Sequence, residues 1–399
     1  MPRVSGPARV DPLVPAGFSL FRGGLLYTLG FRLGLIGDDR RLIRLGFALA
    51  FLTWIPLAVL STLERAMGGS SVIPFWESVG THVRLLLTIP LFFFAEDTFD
   101  SRAPDVLRRI LQIGLILPKD EPRFGAAVRQ ATRSRDSWLV EIAIFVMTVG
   151  LIWSGFRTDL QGPITTWRTT IDGQTTPAGW WYGIVSIPIF QFLLWRWGWR
   201  LIVWARLLWR LSRLNLQFVA THPDGAGGLA VLGVAHVDLA PLATGAAAVL
   251  SANYIEQMLF AGVEPSRFVV SVTGAIVGGT LGLILPLFFF TPKLIEAKQR
   301  ALLDYGNLAA EYTRDFAMKW VHDDRRPDEH LLGTADLQSL ADLGNSFALI
   351  RNMTVLPMGR FQITMLAVAT ALPFVPLVLL AFPLEQLLID GLKSLAGIR

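Results

Sequence analysis

The chain has no cysteine at any of its 399 positions, which excludes disulfides, thiolate metal sites, iron–sulfur ligation and cysteine catalysis. Charge is scarce as well. Asp, Glu, Lys and Arg together supply 17% of the residues, against 52% hydrophobic ones. With a mean hydropathy of +0.49, that balance makes lipid the solvent, because no ordinary soluble core needs so much apolar surface. Several motifs are missing too. There is no Walker or dinucleotide glycine loop, no TVGYG-like filter and no His-Glu-x-x-His or paired Ser/His arrangement, which argues against ATPases, tetrameric potassium channels and common hydrolases. The N-terminus lacks a signal-peptide core, since Arg3, Arg9, Arg22 and Arg32 interrupt it, and no cleaved signal is expected. Residues 18–36, apolar but carrying Arg22 and Arg32, suit an amphipathic helix lying in the headgroup region.

What the chain does have is apolar length. Seven stretches, 45–63, 79–95, 138–156, 180–204, 239–261, 268–290 and 361–382, each approach the roughly 20 residues that cross a bilayer. The expected fold class is therefore all-α, a polytopic integral membrane helical bundle of about seven transmembrane helices with helical cytoplasmic loops. With the N-terminus in the cytoplasm, 27 Lys and Arg fall in inner segments and 6 in outer ones, while Arg84, Arg196 and Arg200 lie within spans. The positive-inside rule is satisfied by that orientation, which places the protein in the cell (inner) membrane with its C-terminus outside. The same distribution accounts for the net charge of +5 without nucleic acid, because the basic residues are spread over loops rather than gathered in one patch.

The domain organisation follows. Residues 1–44 form a cytoplasmic or interfacial segment, 45–291 hold six spans with a basic cytoplasmic loop at 97–137, 292–360 form a cytoplasmic helical segment, and 361–399 are the last span and a short external tail. Within 292–360, Ala301, Tyr305, Leu308, Tyr312, Phe316 and Trp320 recur at helical steps, a ridge expected to pack on the protein's own loops or on a second copy. The strings Ile89-Pro90-Leu91-Phe92-Phe93-Phe94 and Leu285-Pro286-Leu287-Phe288-Phe289-Phe290 suggest a parallel internal repeat of spans one to three and five to seven. In the sixth span Gly274, Gly278 and Gly282 recur every fourth residue, as close helix packing would need.

Charged residues inside spans are the functional pointers, because each costs on the order of 3 kcal/mol unless it meets protein, water or a counter-charge. Arg196, Arg200, Arg206, Arg210 and Arg213 share one face of the fourth span. Arg196 and Arg200, in the inner half of the bilayer, either snorkel to the inner headgroups or line an anion path or pair with Glu141 or Glu256; Asn253 and Glu256 put polarity on one face of the fifth span. Glu96 and Asp97, at the inner boundary, are expected to be solvated. The run His222-Pro223-Asp224-Gly225-Ala226-Gly227-Gly228 reads first as a turn, with Asp224, Gly225, Gly227 and Gly228 as an alternative anion or phosphate loop. Two His-x-Asp pairs, His222 with Asp224 and His236 with Asp238, offer ligands of the type that Zn, Mn or Fe accepts.

The function favoured on this reading is a channel or transporter for a small anion. Its expected partners are membrane lipids, the small ion or solute and a second copy of the chain, with no nucleic acid and no cofactor. The alternatives are a metal-dependent membrane enzyme at the inner interface, holding a transition metal at the two His-x-Asp pairs, and a non-catalytic scaffold or sensor.

Overall fold

The computed structural model describes residues 13–14, 18–20, 23, 41–68, 73–159, 166–170, 173–322, 331 and 334–381, with the side chains of residues 41 and 152–159 excepted. The chain is an all-α helical bundle and a multi-pass membrane protein. Among the described residues, six helices are long and apolar enough to cross a membrane. In chain order the main helices are α1 Arg41–Ala66, α2 Val79–Gln112, α3 Glu121–Arg135, α4 Trp138–Asp159 and α5 Pro177–Ser212. There follow α6 Ala230–Val237, α7 Ala240–Ala261, α8 Val269–Ile284, α9 Thr291–Trp320, α10 Ala335–Asn352 and α11 Arg360–Ala371.

The α4 helix is apolar over Trp138–Leu151. It begins beside the charged lower part of α5, where Arg200 donates to the Arg135 carbonyl at 3.0 Å. Its Leu151 stands in the wall of a cavity at the other end of the bundle. It therefore runs alongside the crossing helices through the same depth. Reporters fused after Arg135 and Lys319 should read one side of the membrane and a reporter after Thr170 the other; the same reading at all three sites would overturn the alternation.

At the centre stands α2, packed against α1 on one flank and α7 on another, with α5 beside it. Leu85, Ile89, Phe92, Phe93, Phe99, Val106 and Leu107 are its buried residues, and they meet Leu57, Phe190, Trp204 and Leu208 from the neighbours. Burial at three- and four-residue steps along α2 is what turns a 34-residue helix into the hub. The helices α4, α8 and α11 are peripheral. Their exposed Phe145, Val146, Val270 and Phe361 suit contact with lipid tails.

Prolines shape the spans. Two π-helical stretches, Val83–Thr88 in α2 and Tyr182–Ser186 in α5, each end one residue before an Ile-Pro pair. A proline lacks an N–H and pushes away the carbonyl four residues back, here inside each wide turn. Pro286 and Pro373 sit in 3-10 turns, Leu285–Phe290 and Leu372–Phe374. Pro56, by contrast, lies within regular helix.

Three expectations need correction. The suggested repeat has no structural counterpart, because α1 packs chiefly on its successor α2 whereas α7 packs chiefly on α2 and α11 and only lightly on its successor α8. The two matching strings also differ locally, one being α-helical after a π stretch and the other 3-10. The stripe of Gly274, Gly278 and Gly282 faces open space, and it is Gly279 that approaches a neighbour, with 3.1 Å between the place of an added Cβ and Thr370 Cγ2 of α11. Phe18, Ser19 and Leu20 are buried within the protein rather than lying on a membrane surface; most of 18–36 falls outside the described residues.

The ridge on α9 does pack on the protein itself. Tyr312 donates to the Asp336 carbonyl at 3.0 Å, and Trp320 and Lys319 reach the Asp336 carboxylate at 3.1 and 2.9 Å, tying α9 to α10 as a helical hairpin.

Candidate functional site

Of the arginines of α5, Arg196 and Arg200 are in the interior and engaged. Arg196 makes a two-pronged pair with Glu96 of α2, Nη1 to Oε2 at 3.0 Å and Nη2 to Oε1 at 2.9 Å. Both side chains are buried, at 4% and 2% exposure. Glu96 is therefore not solvated, and it, rather than Glu256, makes the two-pronged pair with Arg196. A planar guanidinium facing a carboxylate is the geometry in which a buried charge pair holds best.

Arg200, one turn further on, donates to the carbonyls of Arg135 and Gly23 at 3.0 and 3.2 Å. Asp100 accepts from Ser19 Oγ at 2.6 Å and Leu20 N at 2.7 Å, and Arg135 donates to the Ser19 carbonyl at 2.7 Å. The cluster clamps Ser19, Leu20 and Gly23 against α2, α3 and α5. Glu141, in the first turn of α4, bears electrostatically on both Arg196 and Arg200.

The glycine loop organises itself. The Asp224 carboxylate accepts from the backbone N–H groups of Ala226, Gly228 and Ala230 at 2.9, 3.1 and 3.0 Å, and His222 Nδ1 lies 2.8 Å from it. The loop already holds an anion, its own aspartate, so the turn reading stands and the phosphate-loop reading has no donors left among these three. Gly225, Gly227 and Gly228 have φ values of 68°, 63° and 100°, which other residues adopt only with strain. Burial pushes the Asp224 carboxyl up, but the three backbone donors and His222 outweigh it and hold the group below its ordinary value.

The four possible metal ligands do not converge. His236 is fully buried, 2.8 Å from the Leu232 carbonyl through Nδ1 and 3.4 Å from Trp204 Nε1 through Nε2. Asp238 pairs instead with Arg102 at 2.5 Å. Among the described residues no group of three or more His, Cys, Asp or Glu side chains could hold a metal. The physical reason is that each imidazole and carboxylate is satisfied by a different neighbour.

At the opposite end of the bundle, α2, α5 and α7 enclose a cavity of about 470 Å³, a size typical of small-molecule sites. Arg84, Arg168, Tyr182, Gln191, Asn253 and Glu256 supply its polar lining. The two π-helical stretches meet here, because Arg84 in one donates to the hydroxyl of Tyr182 in the other. Arg168 lies over the Tyr182 ring, 5.5 Å from its centroid, and Arg84 lies over Phe190 at 5.7 Å. Glu256 caps the start of α2 from α7, its Oε1 accepting from Gly80 N at 2.8 Å and Ser78 Oγ at 3.0 Å. A Cβ at position 80 would lie 3.1 Å from Oε2, so glycine leaves the carboxylate the room it needs.

No family model, curated protein or solved structure matches this chain. Its site has to be read from chemistry alone. Of the residues proposed from sequence for a path, the cavity takes Asn253 and Glu256 and leaves out Arg196, Arg200 and Glu141. It adds Arg84, Arg168, Tyr182 and Gln191. The sequence signals for these were the charge of Arg84 within a span and the Ile-Pro pairs that follow both π stretches.

Proposed function

We propose that the protein is a membrane channel or transporter for a small solute bearing a negative charge, which binds in the cavity between α2, α5 and α7. The observation that carries the reading is Arg84. It lies in the sixth position of a crossing helix, lines the cavity, bonds to a tyrosine hydroxyl and has no carboxylate in ion-pairing reach among the described residues. A cation left without a counter-charge in a span is costly, and that cost is met when an anion fills the place. The π stretches on either side support the same reading, since such turns are frequent at functional sites. Arg196 and Arg200 serve as structural charges here, so the basic face of α5 is not part of the path.

The test is flux into proteoliposomes with chloride, phosphate and small carboxylates as candidates. Arg84→Gln is expected to keep the fold and lower flux about tenfold or more, while Arg84→Lys retains part of it, as loss of a fixed charge at a desolvated site would dictate. Wild-type protein that moves none of these solutes, or an Arg84→Gln variant with unchanged flux, would overturn the reading.

A further inference from the structure

Resting on that reading, we propose that the solute is a zwitterion, an α-amino acid with an aliphatic side chain, whose carboxylate meets Arg84 and whose ammonium meets Glu256 and Gln191. A simple anion would leave two acceptors of the cavity, on Glu256 and Gln191, unanswered. Glu256 uses Oε1 to cap α2, but Oε2 accepts no hydrogen bond among the described residues. Gln191 Oε1 is buried and likewise accepts none. Both are acceptors, and both line the same cavity as Arg84.

The buried Gln191 acceptor without a donor costs free energy, and Glu256, on the same cavity wall, keeps the accepting capacity of Oε2 unused. An ammonium supplies up to three donors and would satisfy both oxygens at once. The spacing is suitable. Gly80, which holds the Glu256 carboxylate, and Arg84 are one helical turn apart, about 6 Å along the axis. A molecule carrying both charges on adjacent carbons bridges that step, with one hydrogen bond at each end. The remaining wall is apolar, formed by Leu151, Ile187, Leu194 and Val249, and it faces the place where a branched aliphatic side chain would lie.

Three nearly isosteric probes separate the possibilities in equilibrium binding to the full chain in nanodiscs. L-leucine carries both charges, 4-methylpentanoate lacks the ammonium, and 3-methylbutylamine lacks the carboxylate. Leucine is expected to bind at least tenfold more tightly than either analogue. Glu256→Gln keeps a carbonyl oxygen to cap α2 but removes the charge; it should bring leucine down to the level of 4-methylpentanoate without changing the latter. Gln191→Met removes the buried acceptor while leaving the cap of α2 untouched, and a smaller loss confined to leucine and the amine is expected. Arg84→Gln should weaken leucine and 4-methylpentanoate together. Equal binding of leucine and 4-methylpentanoate, unaffected by Glu256→Gln and Gln191→Met, would overturn the zwitterion and leave the anion site in place. Failure of all three probes to bind would overturn the zwitterion, and flux of chloride, phosphate or a small carboxylate would then decide the anion site.

Discussion

Replacing Glu96 by alanine is expected to destabilise the protein by about 3–5 kcal/mol, the cost of leaving a buried charge without its partner. Arg196 cannot respond by reaching water, because its side chain is only 4% exposed and is held between α2 and α5. Nor can it lose its proton readily, since a guanidinium stays charged at ordinary pH. Arg196→Gln should cost a similar amount by stranding the Glu96 carboxylate. Replacing both together, Glu96→Leu with Arg196→Met, should recover part of the loss, because removing a whole buried pair is far less costly than removing half of it. Unfolding of the purified protein by heat or by denaturing detergent measures all three. A Glu96→Ala variant that unfolds with the wild type would mean that the pair does not form in the membrane.

The second large effect is expected at Asp224. Its carboxylate accepts from three backbone N–H groups and lies 2.8 Å from His222, so Asp224→Ala strands donors that have no other partner in the loop. A loss of about 2–4 kcal/mol follows, the scale of one or two buried donors left unpaired. The loop holds other parts in place, since the Gly225 carbonyl accepts from Thr354 N at 2.7 Å and Gly227 and Gly228 lie against Met353 and Leu115. The damage should therefore spread to the segment leading into α11. Asp224→Asn keeps one acceptor oxygen and should lose about half as much.

The same carboxylate gives a pH dependence of fixed sign. Its folded value lies below its ordinary one, so its stabilisation is fully present above the unfolded value of about 3.9 and is lost as the pH falls through the lower folded value. Wild-type stability should drop more steeply below about pH 4 than that of Asp224→Asn, which has no charge to lose. Parallel acid-unfolding curves for the two proteins would refute this role.

The two sites were legible to different degrees, for local reasons. The Asp224 turn could be read because its donors are two, four and six residues away, within one short stretch whose glycines announce the backbone it needs. The Arg196 pair could be read only by half. The cost of an arginine in a span demands a partner, but the partner is 100 residues away on another helix, and the sequence offered Glu141 and Glu256 while placing Glu96 at the solvated boundary. Arg84 was passed over because its place near the end of a span allowed it to reach water. The structure instead turns it onto Tyr182, 98 positions later. Glu256 was singled out for its polarity, yet nothing local says that its carboxylate caps a helix beginning 176 residues earlier at Gly80.

By itself, then, the sequence determined that this is a membrane-spanning all-α protein, because runs of about 20 apolar residues have no other stable solution in lipid than helix. It determined which loops carry the positive charge, where proline interrupts the spans and how the Asp224 turn closes, all matters of neighbouring residues and backbone geometry. Only the tertiary structure decided which charges are spent on holding the bundle and which are left facing a cavity. That choice depends on the rotation and depth at which helices pack. Turning α5 toward α2 makes Arg196 a structural pair, and bringing α7 against the start of α2 joins Arg84, Gln191 and Glu256 around one space. No periodicity within a single helix encodes those angles.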